Sequence, residues 1–291
     1  MAKAPTLARS SAVMFMGTLA SRMLGLVRNA MLVAALGATG SGAADAFTVA
    51  NNAPTMIYNL LAAGVLNAIL VPQIVRALRQ KAGEEFINRL ITTAGALLAV
   101  VTGVLTVAAT IVVTIYGSQL GQWHGLATAF AYWCLPQIFF YGLYALWGQV
   151  LNAKNNFGPY MWAPVLNNII SIASLAAYLF IYGEHSRGGS PADWDFTRTA
   201  VIAGTSTLGI AIQALVLYIP LVRTGFKPRL VWGLRGSGLG QVSKVALWAV
   251  FGLIVVELST LVVYNLGTAA LSASELPKYA HTVVPLSLIH I

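Results

Sequence analysis

Charge is what this chain has least of. Of its 291 residues only 9% are charged, and only eight are acids, against 58% that are hydrophobic. So little charge is inconsistent with an ordinary soluble domain and fits a polytopic membrane protein. One cysteine, Cys134, sits within an apolar run, which excludes an internal disulfide and a thiolate metal centre. It reads as a small buried core residue. The four histidines fall in loops or at segment ends, and no nucleotide-binding loop or Ser/His/Asp arrangement occurs. The residues therefore point away from an enzyme, and no cofactor or metal is implied. The net charge of +9 is no nucleic-acid signature, because the basic residues form no domain with interleaved aromatics.

What is present is a series of long apolar segments. Seven reach the length a bilayer requires, at about 10–36, 46–72, 90–116, 125–151, 160–182, 199–222 and 242–270, and an eighth begins near 280. The first follows Lys3 and Arg9 as a signal peptide would, but it is too long for one and reads as a retained helix. Alternate connections hold twelve Lys and Arg on one side, including Arg76, Arg79, Lys81, Arg89, Lys154, Arg223, Lys227 and Arg229. The other side holds three, Arg187, Arg198 and Lys278. That asymmetry predicts a cytoplasmic N-terminus. The 183–197 loop reads as plain connection.

The first segment carries two arginines, Arg22 and Arg28, where charge is expensive. At about 100° per residue, Thr18, Ser21, Arg22, Gly25, Arg28 and Asn29 all fall within about 120° of one helix face. Leu19, Met23, Leu26 and Val27 occupy the opposite side. The arginines stand roughly 9 Å apart along the axis with Gly25 between them in angle, which describes a cleft for an anion. In the second segment Asp45, Thr48, Asn52, Thr55 and Asn59 form a polar stripe at steps of three and four, with Pro54 inside it. Asp45 near the segment start serves as a helix-end charge or as a partner for an arginine. Such stripes also arise as hydrogen-bonding glue between helices. The third segment should lie at the periphery or pack through Gly95 and Gly103. The fourth, with Gln137, Tyr141 and Tyr144, and the fifth, with Asn167, Ser171, Ser174 and Tyr178, could line one interior. Glu257 in the seventh is either an ion-coupling group or a buried neutral acid.

Four passages together resemble the MurJ/MviN family of bacterial lipid II flippases, within the multidrug/oligosaccharidyl-lipid/polysaccharide exporter group. They are SRMLGLVRNAMLVAALGA from Ser21, ADAFTVANNAP from Ala44, NLLAAGVLNAILVPQIV from Asn59 and LNAKNNFGPYMWAPVLNNI from Leu151. The resemblance implies an all-α fourteen-helix transporter of two lobes in the bacterial cytoplasmic membrane. This chain would supply a six-helix lobe over 1–222, a cytoplasmic linker and helix 7 over 223–270, and an outer loop with the start of helix 8 over 271–291. It further implies that Arg22, Arg28 and Asp45 lie in a central cavity, the arginines engaging a lipid diphosphate. The substrate would be undecaprenyl-diphosphate-linked disaccharide-pentapeptide, moved outward by alternating access, with other cell-wall synthesis proteins as partners. Where many family members carry arginine or glutamate, this chain has Tyr58, Asn59 and Ala63, so its cavity charge is distributed differently. A related polysaccharide-lipid or drug exporter, or a non-transporting assembly partner, is the alternative. The last six residues, LSLIHI from Leu286, resemble a translated sequencing adaptor, and the chain is expected to be a fragment.

The charge asymmetry makes a direct prediction. A cytoplasm-active reporter fused after Lys154 should be active and one fused within 183–197 inactive; the reverse pattern would overturn the orientation.

Overall fold

The structure, a computed structural model, describes residues 7–37, 41–61, 83–117, 119–183 and 189–233, with isolated positions at 74, 77, 251, 255 and 259. Helix α1 (Leu7–Leu36) runs unbroken and ends at Gly37, whose φ of 95° turns the chain so that Ser41 Oγ donates to the Leu36 carbonyl at 2.9 Å. Helix α2 (Gly42–Leu61) follows, with Asp45 in its first turn and Pro54 inside. The third apolar segment is split into α3 (Gly83–Val107) and α4 (Ala109–Tyr116). The fourth is split at Leu135 and Pro136 into α5 (His124–Cys134) and α6 (Gln137–Ala153). Helix α7 (Gly158–Tyr182) is continuous, and α8 (Phe196–Arg223) contains a π turn at Ala200–Gly204. Five helices, Ser11–Leu36, Gly83–Val107, Gly121–Ala153, Gly158–Tyr182 and Phe196–Arg223, are long and apolar enough to cross a membrane. Among the described residues there is no strand. Glu257, most of the seventh predicted segment and the start of the eighth lie outside the described residues.

Neighbours in the chain are not always neighbours in space. Helix α1 packs along α7, α7 along α8, and α8 against α6, while α2 lies on α5 and α6, and α3 on α6. The packing is organised by depth. One apolar cluster gathers Leu36, Ala46, Phe47, Val113, Phe130, Leu135, Tyr178 and Ile202. Here Phe47 meets Phe130 edge to face at 5.4 Å, and Trp194 closes on Phe130 at the same distance. The other cluster, at the opposite end, gathers Ile87, Leu90, Leu146, Leu151, Leu217 and Phe226.

Between the clusters lies a polar seam. Pro136 cannot donate to the helix ladder, and at that break the Thr207 hydroxyl donates to the Trp133 carbonyl at 2.6 Å. Gln137, fully buried, donates through Nε2 to Thr207 Oγ1 at 3.0 Å and to Asn51 Oδ1 at 3.3 Å, and Ser206 donates to the same Asn51 oxygen at 3.0 Å. Further along, Asn167 donates to Gln213 at 3.1 Å and accepts from Ser171 at 3.4 Å. Each bond satisfies a group that hydrocarbon would leave bare.

Two expectations change, and of the two alternatives for the third segment the peripheral one holds. Gly95 and Gly103 face open space; the close approach of α3 is at Gly142, where a Cβ would stand 2.3 Å from Leu98 Cδ1. Helix α3 is peripheral, with Leu97, Val100 and Val104 exposed. In the α7 stripe of Asn167, Ser171, Ser174 and Tyr178, Asn167 ties the helix to Gln213 of α8 instead of lining an interior, while Ser171 and Ser174 bond within α7, to Asn167 and the Ile170 carbonyl. The 183–197 loop is more than connection: Ser190 and Asp195 cap the turns on either side of Trp194, which roofs the first cluster. Cys134 is fully buried, as expected.

Removing Asn51 strips an acceptor from the buried Gln137 amide and the partly buried Ser206 hydroxyl, whereas Ser174 bonds only its own helix. Asn51→Ala should cost about 1–2 kcal/mol and Ser174→Ala close to nothing, read as thermal unfolding in detergent. Equal midpoints for the two variants would contradict the seam.

Candidate anion-binding groove

The polar sector of α1 divides along its length. One edge docks on α7, because Asn168 Nδ2 donates to the Ser21 carbonyl at 2.8 Å and to Ser21 Oγ at 3.2 Å. Trp162 Nε1 donates to the Val13 carbonyl at 3.2 Å, and a Cβ on Gly17 would meet the Trp162 ring at 3.0 Å. Glycine lets the two helices approach there. Gly25 is looser, since a Cβ on it would lie 4.0 Å from Asn168 Nδ2. The other edge is open: Thr18, Arg22 and Asn29 are exposed, while Arg28 is half-buried. Thr18 returns its hydrogen to the Met14 carbonyl at 3.0 Å, leaving its lone pairs outward.

Across from this edge stands α2. Its alanines, Ala43, Ala46, Ala50 and Ala53, are buried on α5 and α6, and this turns the polar stripe outward. Thr48, Asn52, Thr55 and Asn59 are exposed and Asp45 is half-buried. Hydrogen-bonding glue would be buried between helices, so this stripe is a different kind of surface from that of α7. Because α1 leans on α7 while α2 leans on α5 and α6, the two meet little beyond their connecting turn and a groove opens between them. Its floor is Tyr141 of α6. Thr55 Oγ1 donates to Tyr141 Oη at 3.4 Å, the Tyr58 ring lies 5.6 Å from the Tyr141 ring, and the Arg28 guanidinium is in electrostatic reach of the same hydroxyl.

Tyr141 thus lies between Thr55 of α2 and Arg28 of α1. Thr18, Arg22 and Asn29 of α1 and Asn52 and Asn59 of α2 are exposed, and Asp45 stays at the first turn of α2, where a carboxylate favours the positive helix end. Arg28 Nη2 donates to its neighbour Asn29 at 3.4 Å. Ion pairs among the described residues join Arg89 to Glu85 at 3.1 Å and Lys154 to Glu84 at 3.9 Å, and neither Arg22 nor Arg28 takes part. Cations placed in a membrane span, with no acid among the described residues in ion-pair contact with them, have the chemistry to take an anion. Sequence reasoning did not single out Asn51, Trp162 and Asn168, which hold the walls apart. The proline at 136 was the available signal for Asn51, since a broken span demands polar partners nearby.

A family model described as Lipid II flippase MurJ matches residues 32–291. The chain belongs to that family. A Haemophilus influenzae relative named "Probable lipid II flippase MurJ" is 29% identical over 259 residues, covering 84% of this chain and 48% of its own length. The Burkholderia cenocepacia "Lipid II flippase MurJ" is 29% identical over 260 residues, covering 86% and 48%. The chain therefore spans about half the length of these MurJ relatives. A solved structure titled "Lipid II flippase MurJ, inward closed conformation" shares the fold, with a TM-score of 0.58, 18% identity, and coverage of 88% of this chain and 49% of that one. The match to the MurJ family model begins past Arg22 and Arg28, so the case for these two arginines rests on the groove itself.

The docking of α1 can be tested by bulk alone. Gly17→Val must push Trp162 and the Met161 carbonyl, 3.1 Å from the added carbon, whereas Gly25→Ala meets nothing closer than 4.0 Å. Gly17→Val should destabilise by about 1–3 kcal/mol and Gly25→Ala by much less in detergent melting. Tolerance of both would show that α1 is not seated as described.

Proposed function

We propose that the chain forms the arginine-bearing lobe of a flippase that carries lipid II, undecaprenyl-diphosphate-linked disaccharide-pentapeptide, from the inner to the outer leaflet of the bacterial cytoplasmic membrane. The observation that carries this reading is the separation of α1 from α2, with two arginines and no acid among the described residues in ion-pair contact with them. MurJ family membership supports it.

A diphosphate cannot cross hydrocarbon unaided, and a planar guanidinium binds its oxygens two at a time. In this account Arg28, steadied by Asn29 and backed by Tyr141, and Arg22, more exposed, take the diphosphate. Gly25 keeps the backbone between them bare. Thr18, Asn29, Asn52, Thr55 and Asn59 supply hydrogen bonds to the head group, and Asp45 bounds the site at one end. The polyprenyl tail stays in the bilayer beside Leu19, Met23, Leu26 and Val27, all exposed. Residues 1–222 act as one lobe of a fourteen-helix, two-lobe body, 223–270 as the cytoplasmic linker and helix 7, and 271–291 as the outer loop leading into helix 8. The N-terminus is cytoplasmic, and alternating access moves the head group. No bond is made or broken. The membrane potential or an ion gradient drives the cycle, with Glu257 as the candidate coupling acid, and other cell-wall synthesis proteins supply and consume the substrate.

In the full-length gene product, Arg22→Ala and Arg28→Ala should each abolish complementation of a flippase-deficient bacterium while membrane insertion is retained. Loss of one charge-assisted contact should weaken binding by about 10- to 100-fold, and Arg→Lys should rescue only in part. Normal growth of both alanine variants would refute the anion groove.

A further inference from the structure

The chain that leaves α8 does not simply run off its end. After Thr224 and Gly225 it extends back across the start of α3, and the contacts it makes there are unusually complete for a connection. Asn88, 5% exposed, uses both ends of its amide: Nδ2 donates to the Lys227 carbonyl at 2.9 Å, and Oδ1 accepts from the Arg229 amide at 3.0 Å. One turn on, Thr92, 6% exposed, accepts from the Val231 amide at 3.1 Å while its own hydrogen goes to the Asn88 carbonyl at 2.8 Å. Residues 227, 229 and 231 are thus held at alternate positions, as one edge of an extended strand is held by its partner. Phe226, fully buried, anchors the near end in the second apolar cluster. Lys154 lies over its ring at 5.6 Å and reaches the Thr224 carbonyl at 3.4 Å and Glu84 at 3.9 Å. At the far end Gly233, with φ of 152°, lies against Arg89.

We infer that Asn88 and Thr92 are positioning residues that make the 224–233 strap a fixed part of the helical body, so that no hinge lies between the end of α8 and Gly233. The physical ground is the cost of release. Lifting the strap would leave the buried Asn88 amide without both its partners, take from Thr92 the bond it accepts, and pull Phe226 from the core, and each loss opposes opening. A connection meant to swing from Arg223 would be solvated, without side chains built to receive its backbone. The strap's outward residues, Leu230 and Trp232, are 82% and 71% exposed, so among the described residues nothing on that side replaces the contacts made by α3.

Hydrogen–deuterium exchange on the full-length protein in detergent tests this directly, and it reads out whether or not the protein transports lipid. The amides of Arg229 and Val231 should exchange as slowly as amides within a helix. Asn88→Ala should speed Arg229 by about tenfold or more, the equivalent of one lost hydrogen bond, and the isosteric Thr92→Val should do the same at Val231. Amides near Leu97 should not change, which marks an intact fold. A spin-label pair at Leu97 and Leu230, both exposed, in a Cys134→Ala background should give one narrow distance that is unmoved by added undecaprenyl diphosphate. Exchange of 227–231 at open-chain rates in the unsubstituted protein would overturn the proposal. So would a Leu97 to Leu230 distance that shifts with that ligand.

Discussion

Two guanidinium groups within a bilayer-spanning helix are the constraint to which the rest of this structure answers. A charge at such depth costs several kcal/mol unless it is paired, snorkels or faces water or ligand. Arg22 stands roughly 21 Å and Arg28 roughly 12 Å from the Leu36 end of α1, at 1.5 Å per residue, too deep for both to reach one interface comfortably. With no acid of the described body in ion-pair contact with either, the arginines need an open polar surface, and the fold provides one by separating α1 from α2.

The separation has identifiable causes. Small and aromatic residues draw α1 to α7 through Gly17, Ser21, Trp162 and Asn168, while an alanine face draws α2 to α5 and α6. The broken fourth span, with its Asn51, Gln137, Ser206 and Thr207 seam, holds α5, α6, α2 and α8 in fixed relation at mid-depth. Apolar clusters above and below supply the bulk of the packing. The groove is therefore a consequence of where other surfaces are satisfied, and at its floor Tyr141 is bonded to Thr55 of α2 and lies within electrostatic reach of Arg28 of α1.

Much of this was legible from residue order. Helix α1 is continuous, so the angular argument that put Thr18, Arg22, Gly25, Arg28 and Asn29 on one face applies without change. The α2 stripe could be read as a stripe but not as exposed, because periodicity is identical for glue and for a lining surface. Only the packing of Ala46, Ala50 and Ala53 decides between them. The same ambiguity went the other way on α7, where Asn167 turned out to be glue. The strap held by Asn88 and Thr92 depends on contacts across 139 to 141 residues, which no local pattern records.

The central claim is that the arginine face opens to water and ligand, and the most direct measurement is thiol accessibility in the intact membrane. In a Cys134→Ala background of the full-length protein, single cysteines at Arg22, Asn29, Asn52 and Asn59 should react with a hydrophilic, charged maleimide, and undecaprenyl diphosphate should slow that reaction. Cysteines at Met23 and Leu26, on the opposite face of α1, should stay unreactive. Equal inertness of all six positions, or labelling of Met23 and Leu26 in place of Arg22 and Asn29, would contradict the account.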